Sequence, residues 1–386
     1  MPRLFFGNFA FEHELTNQPI SKAARRTVNE MCLMWIAIAN TDDAIASWEL
    51  DPAEFQELWH AGLPQPRFVE VEPQWAKKTA GNWEFCPWGW SSEALESGGM
   101  LGFDLDASLT MGAMLANSRL FSHHWESQLG CGLPGQRTAQ NSFSEIVQGV
   151  RELGAHGRWV IKSSFSTAAR GRQIGSGPEF SESLFRWCEN QLEHPFASLV
   201  IEPWVKRVAE SGIQFDIPQL GTGEPQCVGI TPLLTTPDGR YLGSRFGAVD
   251  VSDFEPALEQ TQAAAKAAQE VGYYGPLGID VMQYRDDEGK LKLRPLQDIN
   301  ARWTMGRLAL GFERLLQSGE VGTWLHVRWT TDVDEWMNAM RRQLPNGVRL
   351  LRTSPRQFAG KPVRHGSVVI IAPDMELLTT AEVLIS

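Results

Sequence analysis

The stretch from Leu291 to Gly306 constrains this chain most. Apolar residues at Leu291, Leu293 and Leu296 give it the pattern of a half-buried β-strand. At its end Asp298 and Asn300 stand two apart, which in extended chain turns both side chains to one face, with Arg302 just beyond. A carboxylate, an amide oxygen and a guanidinium aimed at one spot suit a hard cation such as Mg2+, which takes oxygen ligands and shares its shell with phosphates. Asp and Asn also favour turns and helix caps, so the D-x-N pattern alone allows either reading. The preceding segment separates the two. Leu277 to Tyr284 reads as another strand, closed by the turn Asp286-Asp287-Glu288-Gly289. Asp280 interrupts its apolar pattern, and a buried carboxylate needs a partner. A cation shared with Asp298 and Asn300 supplies one, provided that a bulge near Pro295 or a longer loop brings the strands into step.

A chain of 386 residues has room for two or three domains. No apolar run approaches a membrane span, and the start, MPRLFFGNF, lacks the apolar core and cleavage site of a signal peptide. A cytoplasmic protein is expected. The net charge of −11 argues against nonspecific nucleic-acid binding. Five cysteines, at 32, 86, 131, 188 and 227, show no paired metal spacing and read as reduced thiols.

Along the chain, Arg3 to Gly7 reads as a first strand, with Asn8 or Glu12 at its end able either to face a cleft or to serve the turn into a helix. Ser21 to Asn40 has helical core spacing, Pro66 to Pro73 reads as a strand, and an aromatic loop, EFCPWGWSSEAL, follows. Its Trp88 and Trp90 fit core packing or contact with a substrate. Strands alternating with helices predict an α/β sheet over residues 1–115. Ala116 to Gly130 reads as one helix carrying Asn117 and Arg119; His123 and His124 diverge on it and do not suit a shared metal. Ser142 with Glu145 has capping-box spacing for a helix to Leu153. Arg158 to Lys162 is a buried strand ending in lysine, and the small, polar loop SSFSTAARGRQIGSG after it fits either phosphate contact or a surface loop. Ser198 to Val205 is a central strand, an antiparallel region follows, and Pro256 to Val271 is a helix stopped by Gly272. Candidate strands at HVRW and SVVIIAP close the chain. Units at 1–115, 116–200 and 201–386 follow, in a mixed α/β and α+β class.

In order, the lysine-ended strand with its small-residue loop, IEPWV, GPLGID and QDINAR resemble the landmarks of the ATP-grasp superfamily over roughly Asn117 to Gly306. The resemblance implies an ATP-grasp fold behind a Rossmann-like N-terminal domain, with ATP and Mg2+ as cofactors. Members generally activate a carboxylate with ATP as an acyl phosphate, which an amine or another nucleophile then attacks. Carried over by position, Lys162 would contact phosphates, and the loop with Ser163, Ser164, Ser166, Arg170 and Gly171 would cover them. Glu202 and the backbone of Trp204 and Val205 would meet adenine, and Glu210 the ribose. Asp280, Asp298 and Asn300 would hold one or two Mg2+ ions, and Arg302 would stabilise the transferring phosphoryl group or the acyl phosphate. The phosphate loop is poorer in glycine than the family's, Asp298 stands where Glu is commoner, and the usual upstream lysine is absent, with Arg119 a candidate replacement.

These features together predict an ADP-forming ligase joining a small-molecule carboxylate to an amine, such as an amino acid or peptide-like metabolite. Arg240, Arg245 and Arg302 fall near the acceptor side; Arg245, within a strand, is the better candidate, and Arg240 beside a Pro-Asp-Gly turn reads as surface. A small-molecule kinase using the same cluster, or a nucleotide-binding regulatory protein, are the alternatives. No carrier-protein domain or extended basic groove is visible. Expected partners are small molecules, neither nucleic acid nor membrane, and a homodimer is compatible with the resemblance.

Overall fold

The computed structural model describes residues 1–16, 31–47, 51–79, 82–139, 143–165, 171–193, 197–358 and 360–385. Strands β1 (Arg3–Phe6), β2 (Ala44–Ala46), β3 (Arg67–Val69) and β4 (Glu84–Pro87) form a parallel sheet in the order β3-β2-β1-β4. This is the α/β arrangement expected of the first unit. Part of the predicted aromatic loop is thus a strand: Phe85 and Cys86 pair with β1 and are buried, and Pro87 closes the strand. The helix expected from Ser21 lies partly outside the described residues; its described part, Met31–Ala37, is a 3-10 helix.

A small antiparallel sheet follows, in the order β5-β8-β6-β7, from β5 (Arg137–Ala139), β6 (Arg158–Ser163), β7 (Arg172–Ser176) and β8 (Leu199–Pro203). The limit drawn at 200/201 falls inside β8, which pairs wholly within this sheet. Ile146, Val150, Trp159, Leu184 and Ile201 belong to a separate core beneath it. The helix Phe143–Gly154 forms as expected, while its proposed cap Ser142 lies outside the described residues.

The large sheet is antiparallel, in the order β13-β12-β9-β10-β11-β14-β18-β15. Its strands are β9 (Lys206–Ile217), β10 (Gln226–Thr235), β11 (Tyr241–Gly247), β12 (Gly275–Arg285), β13 (Leu291–Asn300), β14 (Val321–Arg328), β15 (Arg349–Arg352) and β18 (His365–Ala372). A two-stranded ribbon, β16 (Gln357–Phe358) with β17 (Lys361–Pro362), lies between the last two in sequence. Gly272, at φ 90°, follows the helix Leu258–Glu270 as its sequence position predicts.

One apolar core joins the parallel sheet to the large sheet. Trp35 stacks on Phe5 at 4.8 Å and meets Trp303 edge-on at 5.6 Å, so residues nearly 270 positions apart share one aromatic cluster. The helix Met305–Gly311 packs there against the turn Met31–Ala37, and Gly311 makes the contact close: a Cβ on it would collide with the Ala37 carbonyl oxygen and come within 2.8 Å of Ile38. No helix among the described residues is long and apolar enough to cross a membrane.

Gly311→Ala therefore forces helix and turn apart. Its expected effect is a loss of about 1–3 kcal/mol, the usual range for overpacking, read as a lower urea midpoint with an unchanged m-value.

Candidate active site

Strands β12 and β13 pair with Asp280 directly opposite Asp298. The pairing shifts between Asp280 and Met282: Met282 faces Arg294, so Pro295, Leu296 and Gln297 stand against Val281 alone. This is the bulge that the sequence required near Pro295, and it brings the two carboxylates level. β13 is an edge strand, and two outward N–H groups at its end are covered. Ile299 donates to Ser122 Oγ at 3.0 Å and Ala301 to Asn117 Oδ1 at 3.0 Å. The single helix expected over 116–130 is in fact two, Ser108–Ala116 and Arg119–Gln128, because Ser118 is extended and caps the second by accepting from Leu120 N–H. The break lets Asn117, Ser122 and Arg119 all reach β13.

Asp280 and Asp298 are each partly compensated. Asn300 Nδ2 donates to Asp280 at 3.2 Å, and Arg119 Nε donates to Asp298 at 3.1 Å. Arg119 also donates to the Ser163 carbonyl at 2.7 Å, tying the small sheet to β13. Burial, then the neighbouring Asp298 and Glu210 carboxylates, raise the Asp280 carboxyl to about 7. Among the described residues no three His, Cys, Asp or Glu side chains cluster as metal ligands. The set here is two carboxylates and one amide, whose rotation exchanges donor for acceptor. Two level carboxylates in a poorly solvated site are a donor set that a hard divalent cation fits.

Lys162, at the end of β6, forms an ion pair with Glu202 of β8. Arg294 of β13 binds the other side of Glu202 at 2.8 Å and reaches Glu126 at 2.6 Å, and Gln136 donates to Glu126 at 2.6 Å. Glu202 is therefore a member of an ion network rather than a free edge for adenine. Burial would raise its carboxyl, but Arg294 and Lys162 outweigh burial and bring it down to about 2. Sequence reading missed Glu126 and Arg294. The available signal was Arg294 itself, a cation in a strand otherwise read as half buried; its partner lies 168 positions away.

These groups border one cavity of about 1110 Å³ between the small and large sheets. In a chain of net charge −11, nine lysines and arginines line it against five carboxylates, so it favours anions. Lys162, Glu202, Trp204, Val205, Glu210, Asp280, Asp298, Asn300 and Arg302 all line it. The guanidiniums of Arg158, Arg172 and Arg207 lie 5.5, 5.6 and 6.0 Å from a Trp204 ring. Trp204 N–H is taken by the Arg158 carbonyl at 2.8 Å, and Glu210 accepts from Arg207 at 3.0 Å and Thr235 at 2.8 Å. Ser163 and Ser164 do not line the cavity: their hydroxyls donate to the Gly171 carbonyl at 3.1 Å and the Ser198 carbonyl at 2.9 Å, fastening the base of the loop. Gly171 supplies a left-handed turn there at φ 62° and likewise stands outside the lining, while Ser166 and Arg170 lie outside the described residues.

The two arginines beyond this cluster exchange roles. Arg240 lines the cavity, whereas Arg245 does not. Arg245 binds Glu382 of the C-terminal helix at 2.9 and 2.5 Å, a structural pair with a partner that sequence spacing could not reveal. Arg302 reaches back to the parallel sheet's unit, donating to Glu12 at 2.6 Å and to Asn300 Oδ1 at 3.1 Å.

No protein-family model and no curated protein sequence matches this chain. Solved structures do. N5-carboxyaminoimidazole synthase of Aspergillus clavatus, solved with ADP and 5-aminoimidazole ribonucleotide, has a TM-score of 0.55 at 13% identity, covering 100% of this chain and 96% of that one. Phosphoribosylamine–glycine ligase of Thermotoga maritima has a TM-score of 0.54 at 11% identity, with 100% and 96% covered. An L-amino acid ligase of Bacillus licheniformis has a TM-score of 0.50 at 12% identity, with 99% and 96% covered. These neighbours are ATP-grasp carboxylate–amine ligases. The chain has the ATP-grasp fold, and its N-terminal parallel α/β sheet is consistent with a domain that precedes that fold.

The raised Asp280 value has a consequence without any substrate. The folded chain holds this proton more tightly than the unfolded one, so the contribution is present below about pH 4 and is lost as pH rises to about 7. In chelator-treated protein, Asp280→Asn is expected to gain thermal stability relative to wild type across that window and to hold a constant gain above it. Melting temperatures at matched ionic strength read this difference.

Proposed function

We propose that this chain is an ATP-dependent ligase that activates a small-molecule carboxylate as an acyl phosphate and joins it to an amine. The observation that carries the reading is the meeting of Lys162, Arg119, the Asp280–Asp298–Asn300 set and Arg302 in one anion-favouring cavity on this fold. In this reading the units are 1–115, 116–200 extended through β8, and the remainder. The enzyme is cytoplasmic, acts on small molecules and leaves room for a homodimer.

Lys162, Arg119 and Arg172 would bind the triphosphate, since phosphate oxygens can take the hydrogen bonds that now go to Glu202 and Asp298. Trp204 and Val205 border the adenine side and Glu210 the ribose side. Asp280, Asp298 and the Asn300 amide oxygen would hold Mg2+, which when bound neutralises phosphate charge. A carboxylate oxygen of the substrate then attacks the γ-phosphorus, the bond to the bridging oxygen breaks, and ADP leaves. Arg302 stabilises the charge on the acyl phosphate. The amine nitrogen next attacks the acyl carbon, loses a proton, and phosphate departs.

The test is Mg-ATP turnover against amino acids and small carboxylates, singly and in pairs, resolving ADP, AMP and phosphate and weighing products by mass. The expected outcome is ADP and phosphate in equal amounts with a condensed product that needs both substrates. Asp298→Asn and Arg302→Lys should each lower kcat by about 100-fold or more, the scale of removing one transition-state charge partner. A product that keeps the phosphate would make the protein a kinase; nucleotide binding without turnover across the panel would make it a regulatory protein.

A further inference from the structure

The cavity has a second chemical character at the parallel sheet, distinct from its arginine-rich nucleotide side. Among the described residues, the first 115 positions contribute Phe9, Glu12, Met31 and Trp88 to the lining: one carboxylate and three apolar side chains, with no cation. Four side chains here touch in series. Phe9 and Trp88 pack at 4.8 Å, the Arg302 guanidinium lies 5.8 Å from the Trp88 ring, and Arg302 Nε donates to Glu12 Oε1 at 2.6 Å. The charged pair is sheltered, with side-chain exposures of 14% for Arg302 and 3% for Glu12. A polar clamp holds the aromatic wall: Asn8 Oδ1 accepts from Trp88 N–H at 2.8 Å, and Trp303 N–H donates to the Trp88 carbonyl at 3.0 Å.

Neither charge is saturated. Glu12 Oε2 has no hydrogen-bond partner among the described residues. Among the described residues Arg302 uses three N–H groups, on Glu12, Asn300 and the Trp303 carbonyl, of the five that a guanidinium carries. A carboxylate with one spare oxygen beside a guanidinium with two spare donors, against an aromatic wall, complements a molecule that carries ammonium, carboxylate and an apolar group close together. Among the described residues the parallel sheet's unit adds no cation to this lining, so a phosphate bound by Arg302 would also meet the Glu12 carboxylate.

We infer that Phe9, Glu12, Trp88 and Arg302 form the amine-substrate pocket and that it takes an α-amino acid with an apolar or aromatic side chain, its ammonium on Glu12. This rests on the ligase reading above and narrows it. The Glu12 carboxylate disfavours here the phosphate of compounds such as the 5-aminoimidazole ribonucleotide and phosphoribosylamine named with two structural neighbours. Glu12 is the specificity-determining residue, and Phe9 and Trp88 set the preference for side chain.

Calorimetric titration of the full chain tests this without turnover, using L-phenylalanine, L-leucine, N-acetyl-L-phenylalanine, phenethylamine and ribose 5-phosphate. With the nucleotide side filled by ADP, the amino acids are expected to bind, both analogues lacking one charge to bind at least tenfold more weakly, and the sugar phosphate not to bind. Glu12→Gln should weaken phenylalanine about 10- to 100-fold, the scale of a charged hydrogen bond, and barely affect N-acetyl-phenylalanine. The series on wild-type protein stands even where the variant does not fold. Equal binding of phenylalanine and its N-acetyl form, tighter binding of ribose 5-phosphate, or no amino-acid binding at all would overturn the inference. ATP-dependent condensation with some other amine would then leave the ligase reading standing; amino-acid binding with no ATP turnover on the full panel would do the reverse.

Discussion

Two carboxylates, Asp280 and Asp298, face each other on adjacent strands, and the rest of the site is arranged around holding them there. Burial first, and then repulsion from Asp298 beside it, make Asp280 retain a proton well above the ordinary range. Each device nearby moderates that repulsion. The bulge at Pro295–Gln297 sets the pair level, Arg119 crosses from the preceding helix to Asp298, and Asn300 bridges Asp280 and Arg302. The helix start at Ser118 then fixes the strand end from outside. A local electrostatic conflict is thereby made into a place with affinity for positive charge, beside walls with affinity for negative charge.

The second organising contact is the buried chain Lys162–Glu202–Arg294–Glu126. It binds β6, β8, β13 and the helix Arg119–Gln128 into one wall of the cavity. Removing one member of such a network costs about 3–5 kcal/mol, because the remaining charge is stranded out of water. Lys162 emerges from this network at the cavity edge, held there by Glu202.

The cavity's two ends differ because different layers build them. The small sheet and β9 supply arginines around Trp204, and the parallel sheet's unit supplies aromatic side chains with Glu12. Arg302 joins the two chemistries. The shared aromatic core of Phe5, Trp35 and Trp303 keeps the parallel sheet against the large one, and so keeps Glu12 within reach of Arg302.

Local pattern determined much of this protein. Alternation and turn residues located the hairpin of β12 and β13, the two-residue spacing put Asp298 and Asn300 on one face, and the mismatch in strand lengths demanded the bulge that the fold contains. The lysine at the end of β6 and the motif order sufficed for the fold. Such features are legible because they depend on residues a few positions apart. What only the tertiary structure decided were pairings across long separations: Glu12 with Arg302, Arg294 with Glu126, and Arg245 with Glu382 rather than with the cavity. A charged side chain announces in the sequence that it needs a partner, but packing decides which one comes within reach. That choice separates a structural ion pair from a group facing the cavity.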